Sequence, residues 1–376
     1  MKDFSNHIAI IGAGIAGLTL GNFLQMNNIP CIIFEKSKNI QEQGAGISIS
    51  PNGLSVLKYL NVLEDFNNIS RQPSKAFFYY ENDQINYIST NVTTASRKNL
   101  YKVLLENYLS LKGNIYFNHE LENINLDNKE ISFSNKNTYL VKHIAACDGI
   151  KSSCQSLSSS AFIKPEYSGY YVWRTIFQSE QKNIHFYLGS NFHVVTYPID
   201  QERISLVAAM KSKNKEKESW RQEGALKDLL SDIPKSILNK YEFIKENNGI
   251  YKWGVFIRPN VKSLIGKNIS YLGDAAHPMT PFIGQGACMS IEDAYAFGYM
   301  LSKYKTDLNK AQKKYNKFRI KRVRSIYTKS LNQGKLNHLS NPFLVYPRNM
   351  LMKYTNVIKN QTNQIWSYDI TSILKK

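Results

Sequence analysis

Three glycines and one acid near the start of the chain have the spacing of a nucleotide-binding turn. Gly12, Gly14 and Gly17 follow the apolar residues 7–11, and Glu35 ends the next apolar run, eighteen residues past Gly17. In a Gly-x-Gly-x-x-Gly turn the first glycine makes the bend, the second lets the backbone approach a pyrophosphate, and the third lets helix and strand pack closely. The helix start attracts phosphate charge, and the acid can accept hydrogen bonds from ribose hydroxyls. The pattern predicts a dinucleotide site.

A second chemical signal lies late in the chain, where an apolar run over residues 269–272 leads to Asp274. The sequence reads Gly-Asp-Ala-Ala-His-Pro over residues 273–278 and Pro-Phe-Ile-Gly-Gln-Gly-Ala over residues 281–287. A carboxylate at this position can hold a chain of sugar-like hydroxyls. A helix beginning near Ala287 offers free backbone N–H groups and a partial positive charge, which suits a ring that becomes anionic on reduction.

A third candidate is Asp148, which follows the apolar strand that ends at Ala145 and Ala146. The sequence reads Cys-Asp-Gly-Ile-Lys-Ser over residues 147–152. An Asp-Gly pair in isolation usually marks only a turn, so the residues alone leave a structural and a binding role open.

The elements that would position these residues follow from the hydrophobic pattern. Residues 7–11 and 31–35 are predicted as parallel strands joined by a helix over 15–27. Aromatic runs between 168 and 210 predict a mostly antiparallel second sheet, and the polar residues 211–247 are expected to be surface helices. Further strands or hairpins are predicted over 76–90, 114–118, 130–134, 140–147 and 269–272, and further helices over 52–60, 97–110 and most of the chain beyond 287.

These elements predict an α/β protein in which a Rossmann-like domain receives an inserted, mostly antiparallel β-sheet domain and ends in a helical region. The dinucleotide-binding domain is expected to be discontinuous, over residues 1–70, 96–160 and 250–310. The β domain is expected over residues 71–95 and 161–249, and the C-terminal helices over residues 311–376.

Composition narrows the class of protein. The chain has 376 residues, 43% of them hydrophobic, with no apolar run long enough for a bilayer span and no signal-peptide pattern, so the cytoplasm is the expected compartment. The net charge of +19 includes eleven Lys or Arg between Lys303 and Lys329. This stretch is a solvated surface or a face that attracts an anionic membrane; no nucleic-acid partner is predicted. The cysteines lack metal-ligand spacing, so no metal site is predicted and reduced, buried thiols are expected at Cys31, Cys147, Cys154 and Cys288.

The three motifs, in this order and spacing, resemble those of the class A flavoprotein monooxygenases, the family of para-hydroxybenzoate hydroxylase. The resemblance covers roughly residues 7–330. Within the family the chain is most similar to the branch of salicylate hydroxylases, 6-hydroxynicotinate monooxygenases, urate hydroxylases and zeaxanthin epoxidases. The features that carry this finer resemblance are Gly-Ala-Gly-Ile at 44–47 with Pro51-Asn52, Val172-Trp173-Arg174, Gly-Gln-Gly-Ala-Cys at 284–288, and Trp-Ser-Tyr-Asp at 366–369.

The resemblance implies which residues bind FAD. Its adenosine half would lie on the first glycine turn and Glu35, with Lys36 beside it, and Arg97 would contact the flavin. The full implied set is Gly12, Gly14, Ala16, Gly17, Glu35, Lys36, Arg97, Asp148, Asp274, Pro281, Gly284, Gly286 and Ala287. The chain departs from the family at Gln155, where the Asp-Gly motif usually ends in an arginine. This puts a phosphate or NADPH contact there in doubt, although Lys151 lies close enough in sequence to compensate.

The candidate catalytic residues lie in the β-rich region. His193 and Tyr197 have even spacing on one predicted strand and so share a face; they would polarise a substrate hydroxyl or form a buried hydrogen-bonded pair. Arg174 would meet a substrate carboxylate or form a structural ion pair. His277 is expected to shape the turn after Asp274, and Phe282 to pack near the flavin edge.

The family reaction implies FAD, NADH or NADPH as cosubstrate, and molecular oxygen, which is delivered to a small aromatic or cyclic substrate through a flavin C4a-hydroperoxide. A monomer or homodimer is expected. Two alternatives remain: a membrane-associated hydroxylase of a polyprenyl phenol, with the basic stretch against lipid, and a flavin-binding redox sensor without turnover. A related halogenase is disfavoured, because the tryptophans at 173, 220, 253 and 366 are single.

Overall fold

The computed structural model describes residues 2–39, 45–81, 83–158, 163–219, 222–240, 242–243 and 249–375. Its strands, in chain order, are β1 (Lys2–Ile11), β2 (Cys31–Phe34), β3 (Gly46–Ile49), β4 (Lys75–Tyr80), β5 (Asp83–Ser89), β6 (Thr93–Ser96), β7 (Ile115–Tyr116), β8 (Leu121–Asn125), β9 (Glu130–Phe133), β10 (Thr138–Ala146), β11 (Glu166–Gln178), β12 (Ile184–Gly189), β13 (Phe192–Pro198), β14 (Arg203–Lys211), β15 (Glu242–Phe243), β16 (Tyr251–Ile257), β17 (Ile265–Gly266) and β18 (Ile269–Tyr271).

The helices, in chain order, are α1 (Ile15–Met26), α2 (Pro51–Tyr59), α3 (Leu63–Asn68), α4 (Arg97–Ser110), α5 (Ser153–Ser158), α6 (Leu226–Asp232), α7 (Lys235–Leu238), α8 (Gly286–Lys303), α9 (Leu308–Asn337), α10 (Pro342–Tyr354), α11 (Val357–Trp366) and α12 (Ile370–Ile373). Two short 3-10 turns, Gly273–Ala275 and Pro281–Ile283, lie between β18 and α8.

The first sheet is built around β1, which pairs in parallel with β10 on one side and β2 on the other. Its order is β17-β18-β10-β1-β2-β7, and β8 and β9 extend it from β10. Residues 8–11 are all buried, as are residues 15–24 of α1, because α1 lies between this sheet and the helices α4 and α8. Burial from both sides explains the continuous apolar run of β1.

The second sheet has the order β15-β11-β14-β13-β12-β4-β5, with β16 on β11, and all its pairs except β12 with β4 are antiparallel. The predicted mostly antiparallel sheet is therefore confirmed. One face carries a row of neighbours on adjacent strands, Phe78, Phe186, Val195, Val207 and Arg174. We call this the inner face, because its apolar members belong to the same hydrophobic cluster as Ile358 and Trp366 of the C-terminal helix α11.

A buried group of charges joins the last helices to the rest of the fold. Arg319 of α9 donates from Nη1 to Glu292 at 2.5 Å and from Nε to Asp293 at 2.7 Å, and all three side chains are fully buried. Asp293 also accepts from the backbone N–H of Gly273, and Glu292 accepts from the side-chain amide of Asn52. We call these residues the charge cluster. It connects α9, α8, α2 and the turn that carries Asp274.

The sequence-based prediction of surface helices over 211–247 was wrong for much of that segment. Residues 213–219 form no helix, and among the described residues of the segment helix is limited to α6 and α7. The segment instead follows the edge of β16, where Lys217 accepts from the backbone N–H of Gly254 and Glu216 pairs with Lys252. Tertiary pairing therefore overrides the helix-favouring composition. Strand β8 and the two-stranded sheet of β3 and β6 were not predicted.

We expect Arg319→Leu to lower the free energy of unfolding by about 3 kcal/mol, because it removes the cation shared by two buried carboxylates and leaves them only Arg322 and His277 as partners. Chemical denaturation followed by circular dichroism measures the change. Lys321→Leu on the same helix is the matched control, because that lysine is exposed, and it should change stability by only about 0.5 kcal/mol. Equal effects of the two substitutions would contradict a stabilising role of the charge cluster.

Candidate active site

The three sequence motifs meet at one edge of the first sheet. Its neighbouring strands β18, β10, β1 and β2 run parallel, so their carboxyl ends lie side by side. Asp274, Asp148, Gly12 and Glu35 each follow one of these strands within a few residues. In open α/β sheets ligands bind in the crevice outside the carboxyl ends of the strands, where the order reverses direction. Strands β2 and β7 lie on one side of β1, and the later strands β10 and β18 lie on the other. The strand order therefore reverses at β1, which makes this edge the candidate site.

The first glycine turn is shaped by close backbone contacts at two positions and by open space at a third. Gly12 has φ +102°, and a Cβ there would lie 2.6 Å from the carbonyl oxygen of Cys147. A Cβ at Gly17 would lie 2.0 Å from the carbonyl oxygen of Gly12. A Cβ at Gly14 would meet no atom within 4 Å, and α1 begins there without a side-chain cap. The turn therefore leaves room for a ligand against uncapped N–H groups.

Glu35 is fixed beside this turn. Its Oε2 accepts from the backbone N–H of Ala13 at 2.8 Å, and its Oε1 accepts from the backbone N–H of Ser37 at 2.9 Å. Each carboxylate oxygen keeps a second lone pair, so the group can still accept from ligand hydroxyls. Lys36 lies next in the chain with an exposed side chain.

The loop between β18 and α8 resembles the first glycine turn, because its backbone is held in place while two of its glycines border open space. Gly284 has φ +62°, and a Cβ at Gly284 or Gly286 would meet nothing within 4 Å. The intervening Gln285 is buried, and its side chain bonds Ser50 and Asn52. Helix α8 begins at Gly286 without a side-chain cap, so its first N–H groups face this open space.

Asp148 lies in the turn between β10 and α5. Its Oδ2 accepts from the backbone N–H of Cys154 at 2.9 Å, whereas its Oδ1 is buried and, in the described residues, has no hydrogen-bond partner. Burial raises the pKa of this carboxyl group. A buried oxygen without a partner is rare in proteins, and it is explained by a ligand donor or a water at this position.

At Gln155, where the family usually has an arginine, a different arginine of this chain lies close by. Gln155 donates from Nε2 to the carbonyl oxygen of Ala275 at 3.2 Å. The buried Arg258 donates from Nη1 to the same oxygen at 2.6 Å and from Nη2 to the carbonyl oxygen of Ile150 at 3.2 Å. Arg258 thus links the turns of Asp148 and Asp274, and sequence reasoning missed it. Lys151 instead pairs with Glu218 at 2.9 Å, with its side chain exposed.

His277 holds the Asp274 turn in place, as the sequence suggested. Its Nε2 lies 2.5 Å from Oδ2 of Asp293, inside the charge cluster. Although burial alone would raise it, His277 and Arg319 lower the pKa of Asp293 to about 2. The carboxylate therefore stays charged at neutral pH and fixes the backbone from which Asp274 projects.

A cavity of about 210 Å³ lies between the first sheet and the inner face of the second. The residues that line it include Arg97, Arg174, Trp253, Asp274 and Pro281. Arg97 opens α4, where its backbone N–H donates to Ala45 at 2.7 Å. Charged groups of both signs and an aromatic ring therefore surround the cavity.

Arg174 and Tyr197 lie together at this boundary. Arg174 donates weakly from Nη1 to the carbonyl oxygen of Gly46 at 3.4 Å, and its guanidinium lies 5.6 Å from the Trp253 ring centroid. In the described residues no carboxylate pairs with Arg174, and its buried Nε has no hydrogen-bond partner. Burial lowers the pKa of Arg174, and the nearby Tyr197 opposes that shift. The sequence left open a structural ion pair for Arg174, and the described residues contain none.

His193 lies on the inner face with Tyr197, and it contacts a residue that the sequence reasoning missed. Its Nδ1 lies 2.6 Å from Nε2 of His338, which follows α9, and both rings are buried. Burial lowers the pKa of His193 to about 4 and that of His338 to about 2, so both rings are neutral at pH 7. The Phe282 ring centroid lies 5.3 Å from that of His193. No motif marks His338, whose partner is 145 residues away.

The comparisons with known proteins agree with this geometry. A family model described as an FAD-binding domain matches residues 6–329. The chain belongs to this family.

Named relatives and solved structures resemble this flavoprotein along most of its length. It is 26% identical to a 3-amino-4-hydroxybenzoate 2-monooxygenase of Streptomyces platensis, over 90% of this chain and 91% of the relative. It is 25% identical to the 3-hydroxybenzoate 6-hydroxylase of Klebsiella oxytoca, over 88% of each chain. Among solved structures, HpxO of Klebsiella pneumoniae with FAD and uric acid has a TM-score of 0.84 at 20% identity, with 97% of this chain and 98% of that chain covered.

The residues at the strand ends fit FAD. Open space lies over Gly14, Gly284 and Gly286, uncapped helix starts face it at α1 and α8, and Glu35 presents lone pairs beside it. A dinucleotide needs these features: room for a pyrophosphate against backbone N–H groups, and an acceptor for ribose hydroxyls.

We expect Gly14→Val to lower FAD affinity at least about 100-fold while the apoprotein stays folded, because its Cβ would enter the open space and touch no protein atom. Quenching of flavin fluorescence gives the affinity, and circular dichroism reports the fold. Gly17→Val is the contrasting variant: its Cβ would collide with the backbone of Gly12 and should impair folding itself. Normal FAD binding by the Gly14 variant would place the pyrophosphate elsewhere.

Proposed function

We propose that this flavoprotein is a monooxygenase that hydroxylates a small aromatic acid bearing a ring hydroxyl. NADH or NADPH supplies two electrons; one atom of O2 enters the ring as a hydroxyl group, and the other leaves as water. The observation that carries the substrate class is Arg174, a half-buried arginine at the cavity whose Nε is buried and which has no carboxylate partner in the described residues. A ring carboxylate would supply the missing counter-ion. The relatives named as acting on hydroxybenzoates support this class.

Bound FAD supplies the activation of oxygen, and the residues of the chain bind, orient and exclude water. We assign the cofactor to the two glycine-rich turns together with Glu35, Arg97, Asp148 and Asp274. Phe78, Phe186, Val195 and Val207 form an apolar wall on the inner face, against which a flat ring can lie. Phe78 and Phe186 are already stacked, with ring centroids 4.9 Å apart.

His193 is proposed as the group that accepts the proton of the substrate hydroxyl. With its pKa lowered to about 4 by burial, it is neutral at pH 7. In the tautomer in which its Nδ1 donates to His338, its Nε2 carries the lone pair that the proton transfer needs. Removing that proton places negative charge on the ring oxygen and makes the ring a better nucleophile. Tyr197 lies on the same face, four residues after His193 on β13. It would hydrogen-bond the hydroxyl or the carboxylate of the substrate.

The remaining assignments concern domains, assembly and compartment. We propose that the two sheets are the cores of the two domains, with the boundaries expected from the sequence, and that the protein acts as a monomer or homodimer. The described residues contain no helix long and apolar enough to cross a membrane. All four cysteines are free and buried, and the reaction consumes a reduced nicotinamide, so the cytoplasm is the proposed compartment. The relatives favour neither the polyprenyl-phenol hydroxylase nor the redox sensor.

The direct test is turnover by the purified, FAD-loaded protein. NADH or NADPH oxidation should accelerate with one member of a panel of hydroxybenzoates and aminohydroxybenzoates, with a hydroxylated product identified by mass spectrometry. Incorporation of one ¹⁸O atom from labelled O2 would establish a monooxygenase. A protein that binds FAD but oxidises neither nicotinamide with any of these ligands would favour the redox-sensor alternative.

Arg174→Met should raise KM for a hydroxybenzoate roughly 10- to 100-fold, because a charge-assisted hydrogen bond to the carboxylate is lost. KM for the corresponding phenol without a carboxylate should hardly change. Steady-state kinetics with the two ligands measures the difference. Arg203→Met is the matched control, because that arginine is exposed and pairs with Asp200. An equal rise for both ligands would argue against carboxylate binding.

His193→Ala should lower kcat for hydroxylation by about 10²- to 10⁴-fold, because the proton acceptor is lost, while the flavin absorption spectrum stays unchanged. Rapid-mixing measurements of product formation check this. His185→Ala serves as the control: His185 lies on the neighbouring strand β12 but on the outer face, next to Tyr187. If both variants hydroxylate normally, His193 has a structural role only.

A further inference from the structure

Helix α10 turns its apolar side away from the protein. Phe343 is 88% exposed, Tyr354 71% and Tyr346 67%, and Leu344 and Leu351 are each more than half exposed. Five of the large exposed hydrophobic side chains of the described chain therefore lie in one helix of 13 residues. Single exposed apolar residues are normal on protein surfaces, but a contiguous group marks an interaction site.

The opposite side of α10 anchors it to the fold. Arg348 is largely buried, donates from Nη1 to the carbonyl oxygen of Leu336 at 2.9 Å and lies 5.3 Å from the Tyr80 ring centroid. Asn86 of β5 donates to the backbone carbonyl of Met352. The helix is thus held through these polar groups and the buried Val345, and its exposed residues at 343, 347, 351 and 354 follow the spacing of one helical face.

The stretch of sequence that contains this face is rich in basic residues. Between Asp307 and Asp369 the sequence contains thirteen Lys or Arg and no acidic residue. Lys335, Lys353 and Lys359 are exposed and lie on or next to α10 in the chain. The basic stretch singled out in the sequence, 303–329, lies mainly on α9 and leads directly into this region.

We propose that the exposed face of α10 is a docking surface for a membrane that contains anionic lipids. The helix would lie in the plane of the headgroups, with Phe343, Leu351 and Tyr354 inserted at the acyl boundary and the lysines against lipid phosphates. An exposed apolar face on a helix that belongs to a basic, acid-free stretch of the sequence offers this partner both apolar surface and positive charge. A second copy of the chain fits poorly, because it would bring the same positive region against itself. The proposal is independent of the proposed reaction.

Sedimentation of the FAD-loaded protein with vesicles tests the proposal. The protein should bind phosphatidylcholine vesicles that contain phosphatidylglycerol at least about tenfold more tightly than phosphatidylcholine alone, and added salt should weaken the binding. Phe343→Ser/Leu351→Ser should lower binding to the anionic vesicles by at least about tenfold, because two inserted side chains are lost. Leu226→Ser/Leu230→Ser is the matched control, because these leucines are 43% and 41% exposed on α6 and should not affect binding.

Two results would overturn the proposal. One is equal vesicle binding by the wild type and the Phe343→Ser/Leu351→Ser variant, or no binding by either, with flavin content and circular dichroism unchanged. The other is a wild-type dimer in sedimentation velocity that this variant converts to a monomer, because the face would then be occupied by a second copy. Loss of vesicle binding in a variant that stays folded, FAD-loaded and unchanged in assembly supports lipid docking.

Discussion

The fold around the site depends on the buried ion pairs of Arg319 with Glu292 and Asp293. Burying charges is costly, and the cost is offset here because each carboxylate oxygen meets a cation, an amide or a backbone donor. Although burial opposes its charge, the two carboxylates raise the pKa of Arg319. Asp293 holds the turn of Asp274 through Gly273 and His277, and Glu292 reaches α2. One cationic side chain from the C-terminal part of the chain thereby ties together α8, α2 and the turn of Asp274.

The residues that hold the loops of the site in place are different from the glycines that leave room for a ligand. The residues that hold the turns, such as Gln285 and Arg258, are buried and hydrogen-bonded, whereas Gly14, Gly284 and Gly286 border room that no atom of the described residues fills. The cofactor crevice and the inner face meet at the cavity of Arg97 and Arg174. A substrate bound there would be placed by the second sheet and presented to a cofactor held by the first. Under the proposed function the two layers would have distinct tasks.

How much the sequence predicted depended on the range of the interactions. The glycine turn, the strands that carry Asp148 and Asp274, and helix α4 have local patterns, and the structure has them within a few residues of the predicted bounds. His338 contacts His193, 145 positions away, and Arg258 reaches Ile150, 108 positions away, and such distant contacts leave no spacing to recognise. The helix prediction for residues 213–219 was wrong for a related reason, because contacts with β16 decide their conformation. Gly44 and Trp220, used in the sequence comparison, lie outside the described residues.

The acid-free segment between Asp307 and Asp369 has a further consequence for how its charge varies. Its only histidine, His338, is buried with its pKa lowered to about 2, and its other ionisable side chains are Lys, Arg and Tyr, types that ordinarily titrate near pH 10 or above. The segment therefore carries the same charge throughout the physiological pH range. Acidification would change the electrostatics of the rest of the molecule, whereas this surface would respond only to ionic strength and to the charge of whatever faces it.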